Sequence, residues 1–189
     1  MSRDPLRVAA FCAYLAAWLV FVIGALVNGL PQIRRQAANA GPLRINPATA
    51  AGTLLQIASA MAITFFLAGG PLRPERIELI GTLALAPLAA VLFAWAVISA
   101  SPGSSADMLV TRGAYAWVRH PMYLAFLGML IATGLLASNG IRLAIAVAMY
   151  LAGTELRIGP EERTLAAKFG SEYERYRLRT RWCYLAGLR

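Results

Sequence analysis

The 189-residue chain has one histidine, one lysine and two cysteines, and only 14% of it is charged. Each scarcity closes off a chemistry. A single histidine, His120, with no cysteine cluster argues against a zinc site. Cys12 in an apolar run and Cys183 in a basic tail cannot build a disulfide framework, and they read as two thiols held apart across a membrane. The chain has no Walker loop, no G-x-G-x-x-G and no defensible Ser-His-Asp constellation. No basic helix or aromatic-basic platform stands clear of apolar runs, so the net charge of +9 suits a membrane surface and not nucleic acid. Arginine far outnumbers the lone Lys168, which points to a GC-rich bacterial source.

What the chain does have is apolar length. It is 59% hydrophobic with a mean hydropathy of +0.59, and its charges cluster instead of spreading along amphipathic faces. That is the composition of an integral membrane protein with room for one domain, 1–189. Val8–Leu30, Ile45–Gly70 and Leu79–Ala106 run uncharged, each long enough to cross a hydrocarbon core of ~30 Å. Ala38-Asn39-Ala40 has the form of a cleavage site, but the first run is too long and lies too far upstream for a signal peptide. Thr53, Gln56, Ser59 and Thr64 recur at helical spacing and face other helices, and Asn28 sits near an interface. Loops are expected at 31–46, with the breaker Gly41-Pro42, at 71–78, and at Ser101–Ser105, and Pro87 should kink or loosen the third span. Pro121–Ser138 and Leu143–Thr154 are shorter apolar arms about a turn at Ser138-Asn-Gly140, a helical hairpin that is tilted or only partly spanning. Glu161–Arg181 reads as an amphipathic helix broken at Gly170.

The expected fold is therefore all-α, with about five transmembrane helices and a cytoplasmic amphipathic C-terminal helix. Three spans occupy 1–106, and a catalytic region occupies 107–182. Sorting basic residues by side places Arg3, Arg7, Arg73, Arg76 and Arg142 on one face and the other thirteen on the opposite face. The richer face is cytoplasmic, here of a bacterial inner membrane, with the N-terminus outside. The stretch 111–123 and the pair Glu161-Glu162 then share that face and can form one site.

His120 precedes Pro121 at a helix start, where unpaired backbone N–H groups favour an anionic group such as a carboxylate. Glu161 and Glu162 suit a cationic amine or ribose hydroxyls, although an acidic pair at a helix start equally serves the helix dipole. A ligand carrying both carboxylate and ammonium fits the two poles.

Leu109-Val-Thr-Arg-Gly-Ala-Tyr-Ala-Trp-Val-Arg-His-Pro-Met-Tyr-Leu124 resembles the cofactor motif of a membrane methyltransferase superfamily, comprising the isoprenylcysteine carboxyl methyltransferases and phospholipid N-methyltransferases. Glu161-Glu-Arg-Thr-Leu165 and Phe169-Gly-Ser-Glu-Tyr-Glu-Arg-Tyr176 resemble the second half of the same signature. The resemblance implies an S-adenosylmethionine site made of membrane helices, lined by Tyr115, Arg119, His120, Tyr123, Glu161 and Glu162. It implies Arg179 as a cation near the transferring methyl, with Glu162 also catalytic, and a lipophilic acceptor entering from the bilayer among membrane lipids. Tyr115-Ala-Trp117 resembles the isoprenylcysteine branch. Thr180-Arg181 stands where Val-Pro is usual, and Ala125 where glycine is frequent. Carboxyl O-methylation is the expected reaction, with phospholipid ethanolamine N-methylation as its alternative. From other classes, a membrane reductase using NADPH is opposed by the acidic pair, and an inactive membrane scaffold by the presence of both motifs.

Overall fold

The computed structural model describes residues 4–38, 46–67, 74–100, 108–137 and 140–185, of which 28–38 and 64–67 are described by backbone alone. They form helices α1 (Pro5–Ala38), α2 (Pro47–Leu67), α3 (Arg76–Ser99), α4 (Pro121–Ala137), α5 (Gly140–Phe169) and α6 (Ser171–Arg179), with a short 3-10 turn at Gly113–Ala116. No strand occurs among the described residues. Two helix starts show one device. Asp4 accepts the Leu6 N–H at 3.1 Å ahead of Pro5, and Asn46 accepts the Ala48 N–H at 2.9 Å ahead of Pro47. A polar cap followed by proline at the first helical position satisfies one stranded donor and removes another.

The apolar faces that a water-soluble protein would hide are outside. Only 17% of the apolar window of α1 and 39% of that of α3 are buried, although both helices are long and apolar enough to cross a membrane. Leu15, Leu19 and Leu26 on α1 and Leu88, Val91 and Ile98 on α3 are exposed. An apolar surface of this kind matches lipid tails and would be costly in water. The 17 residues of α4 reach about 25 Å, short of a full crossing, in keeping with a tilted or partial hairpin arm.

Small residues set the packing. α3 lies between α1 and α4, and α5 between α4 and α2. Ala86, Ala89 and Ala90 of α3 meet Ala125, Met129 and Ala132 of α4, while Phe21 of α1 stacks on Phe93 with ring centres 4.2 Å apart. Ala125 is fully buried in this contact. At α2–α5, Gly52 and Gly153 bring the backbones together. A Cβ on Gly52 would lie 2.5 Å from the Gly153 carbonyl oxygen, and one on Gly153 would lie 2.7 Å from that of Gly52. Gln56 and Ser59 do face the bundle, for Gln56 Nε2 donates to Thr154 at 2.8 Å and Ser59 is fully buried. The Asn28 and Thr64 side chains, Gly41-Pro42, Ser101–Ser105 and the Ser138-Asn139 part of the turn lie outside the described residues.

Two boundaries differ from the sequence reading. α1 runs on to Ala38, because Gln32–Ala38 is mostly strong helix formers that carry the helix past the apolar run. The fifth apolar arm does not stop at Thr154, since α5 continues through Pro160 to Phe169 and absorbs the first half of the expected amphipathic helix. Glu161 and Glu162 therefore lie inside a helix and not at its start, and the helix-dipole account of them fails. The break at Gly170 is real, and its φ of 52° is a conformation that favours glycine.

Candidate functional site

Residues 119–120 run beside the tail. The Arg119 N–H donates to the Trp182 carbonyl at 2.9 Å and the His120 N–H to that of Cys183 at 2.8 Å. The Arg119 side chain, 6% exposed, completes the seam. Its Nη1 donates to the carbonyls of Thr180 at 2.8 Å and Arg181 at 3.1 Å, and its Nε to Glu162 Oε1 at 2.8 Å. Tyr176 Oη donates to the Tyr115 carbonyl at 2.7 Å, and Tyr184 Oη to Glu155 at 2.9 Å. The 3-10 turn, the start of α4, the second half of α5 and the tail are thus one assembly.

The two acids are divided in their work. Glu162 belongs to the Arg119 seam. Burial alone raises its carboxyl pKa, but the His120 imidazole 3.6 Å away and the Arg119 hydrogen bond overcome burial and hold it at about 2. Arg119 is in turn held above its ordinary value, because the Glu162 bond outweighs its own desolvation. Glu161 faces the open side, accepting from Tyr123 Oη at 2.6 Å and from Arg157 Nη2 at 3.2 Å. Tyr115 is pushed up to about 12 by burial and by the charge of Glu161, so it stays a neutral phenol.

His120 sits between the acids, with Nδ1 3.8 Å from Glu161 Oε2 and Nε2 3.6 Å from Glu162 Oε1. Both separations exceed a hydrogen bond, and buried Nε2 has no partner. A buried ring nitrogen without a hydrogen-bond partner is rare in folded proteins. His120, Glu162 and Cys183 also bring their donor atoms within 4.8 Å of one another. The sequence argument against a metal overlooked this cluster, since the tail alone carries Cys183 to His120. Arg119 nonetheless occupies the same Glu162 oxygen and sets a fixed positive charge against any dication.

Two cavities meet here. The larger, about 680 Å³, runs from Arg157 and Glu161 up between α4 and α2, past Gln56 and Tyr150, to Phe126. The smaller, about 540 Å³, lies under the 3-10 turn, bounded by Leu109, Lys168, Phe169 and Tyr176. Tyr115, His120 and Glu161 line both.

Five of the residues expected from sequence therefore border a cavity: Tyr115, Arg119, His120, Tyr123 and Glu161. Glu162 stands immediately behind them, lining neither. Arg179 is not brought to the site. The buried face of α6 is set by Tyr173 and Tyr176, and Arg179 falls off that face, exposed and lining neither cavity. Sequence reasoning missed Arg157, Gln56 and Cys183. The i,i+4 spacing of Arg157 and Glu161 was a legible signal for the first.

Residues 80–167 match the model of the isoprenylcysteine carboxyl methyltransferase (ICMT) family. The protein-S-isoprenylcysteine O-methyltransferase of Schizosaccharomyces pombe is 36% identical over 80 residues, which is 42% of this chain and 34% of that protein. That of Saccharomyces cerevisiae is 38% identical over 73 residues, 39% of this chain and 30% of that protein. The match thus spans about a third of the length of these relatives, and it bears out the resemblance read from the two motifs.

Proposed function

We propose that this chain, whose residues 80–167 are of the isoprenylcysteine carboxyl methyltransferase type, is a membrane methyltransferase that methylates a carboxylate on a lipophilic acceptor. The observation that carries this reading is the pair of cavities joined at Tyr115, His120 and Glu161. A two-substrate transfer needs two compartments with one shared wall.

The smaller cavity fits S-adenosylmethionine by its donor set. Glu161 can take an ammonium or ribose hydroxyls, Lys168 a carboxylate, and Phe169 and Tyr176 flank room for a flat base. Its volume lies within the usual range for small-molecule sites. Bound there, the donor would supply an electrophilic methyl on a sulfonium: a C–O bond forms to the acceptor carboxylate as the C–S bond breaks, its electron pair staying on sulfur, with no proton transferred. The protein's residues mainly align and exclude water. His120 and Glu161 hold the shared wall, and the Arg119–Glu162 seam keeps the tail closed over it. Tyr115, kept neutral, offers a hydroxyl without a competing negative charge.

The larger cavity suits the acceptor. Its walls are mostly apolar, and it reaches Phe126 and Ile57, which are exposed on the surface read here as facing lipid. A lipid-like chain can therefore enter sideways from the bilayer and place its polar end toward the wall the two cavities share. Purified protein in detergent should transfer label from S-adenosylmethionine to a prenylated cysteine analogue, and calorimetry should show S-adenosylhomocysteine binding where NADPH gives none. Transfer to phosphatidylethanolamine alone would overturn the carboxylate assignment.

A further inference from the structure

We propose that Arg157 is the anion anchor of the larger cavity and makes the protein select acceptors that end in a carboxylate; this rests on reading that cavity as the acceptor site. Among the described residues lining it, Arg157 is the one arginine or lysine. It stands where the polar lining is concentrated. Nη1 donates to Gln56 Oε1 at 2.9 Å and Nη2 to Glu161 Oε1 at 3.2 Å, while the guanidinium carbon lies 5.2 Å from the centre of the Tyr123 ring. Three helices, α2, α4 and α5, thus fix the orientation of one cation.

This network is incomplete as it stands. Nε of Arg157 is buried and has no hydrogen-bond partner, an arrangement folded proteins rarely leave unused. The side chain is still 26% exposed and borders the cavity. Glu161 does not depend on Arg157 alone, since the same oxygen receives the Tyr123 hydroxyl at 2.6 Å. Arg157 can turn an N–H toward an incoming anion without stranding that acid.

Charge then decides the acceptor class. A carboxylate carried on an apolar tail loses its hydration on entering an apolar cavity, and only a paired, hydrogen-bonding cation offsets that loss. Guanidinium matches carboxylate geometry and cannot lose its proton. A protonated amine headgroup would find the Glu161 oxygen there already taken by Arg157 and Tyr123, with the guanidinium charge beside it. The exposed Arg179 cannot do this from where it lies.

The test compares two probes, N-acetyl-S-farnesylcysteine and its C-terminal carboxamide. Their equilibrium binding to the detergent-purified full chain is measured with and without S-adenosylhomocysteine, for wild type and for Arg157→Gln. Wild type should favour the acid by about tenfold, the scale of a charge-assisted hydrogen bond. Arg157→Gln should abolish that preference, binding the amide as wild type does. A wild type that binds acid and amide alike overturns the proposal, and so does an Arg157→Gln protein that keeps the preference. If the variant fails to fold, as judged by its elution profile, the wild-type comparison still decides. Failure of wild type to bind S-adenosylhomocysteine would instead sink the methyltransferase reading, because the acid-against-amide preference is read independently of it.

Discussion

Arg119 and Glu162 show how a residue can look like a ligand contact in sequence and serve as a clamp in the fold. Arg119 spends its bonds on Glu162 and on two tail carbonyls. Glu162 has an ordinary carboxyl pKa of 4.5 and is held at about 2 in the fold. Its folded pKa lies below the unfolded one, so its stabilisation is complete above about 4.5 and drains away as pH falls toward about 2. Glu162→Gln should therefore cost about 1.5–3 kcal/mol at neutral pH and flatten the acid side of the stability curve. Parallel wild-type and variant melting curves across that acid window would refute the clamp. His120 is a different case, because its buried Nε2 makes no hydrogen bond to protein, although the imidazole helps hold the Glu162 carboxylate charged. His120→Ala should lower the melting temperature less than Glu162→Gln does and weaken S-adenosylhomocysteine binding by about 1–3 kcal/mol. Unchanged affinity, measured by calorimetry, would return His120 to a structural role. Sequence brought His120 and Tyr123 together because their motif is contiguous, and it added Glu161 through the shared face of the bundle and the two-part resemblance. It could not rank them, because which acid faces Arg119 depends on the path of residues 180–183, and no local pattern encodes that path.

At the scale of elements, the start of α4 was legible and the end of α5 was not. Proline at the first helical position marks a start by a local mechanism, and Pro121 opens α4 where the sequence reading placed it. The end of α5 was hidden because Pro160 usually signals a break, yet the helix continues through it with Thr164 bonding back to the Pro160 carbonyl at 2.9 Å. The α2–α5 contact carries a sharper test. Either glycine given a methyl would press it into the other's carbonyl at 2.5–2.7 Å, and backbone on both sides cannot yield. Gly153→Ala should push α2 from α5, loosen the Gln56 bonds to Thr154 and Arg157, and lower the melting temperature markedly. Gly140→Ala, with nothing within 4 Å of its Cβ, is the control and should behave as wild type. Equal melting temperatures for the two variants would mean the helices do not approach as described.

At the scale of the whole molecule, the helices alternate in direction so that each end of the bundle has a distinct character. One end gathers the start of α1, the start of α3 and the end of α4, where Ala10, Leu79 and Leu136 form a small apolar cluster. The other gathers Asn46 and Thr49 at the start of α2, Ala100 after α3, His120 ahead of α4 and Glu161 on α5, all bordering the smaller cavity. Thirteen of the eighteen basic residues belong by sequence to this second end and five to the first. Basic residues are retained on the cytoplasmic side during insertion, so the site should open to the cytoplasm and the N-terminus should lie outside. The proposed chemistry asks for the same orientation, because the methyl donor is made inside the cell while the acceptor arrives through the bilayer. Topology reporters fused after Arg189 and between residues 71 and 75 should therefore report opposite compartments, with the Arg189 fusion cytoplasmic. A tail found on the outer face would separate the smaller cavity from its methyl donor, and the proposed function could not operate in the cell even if both ligands bound in detergent.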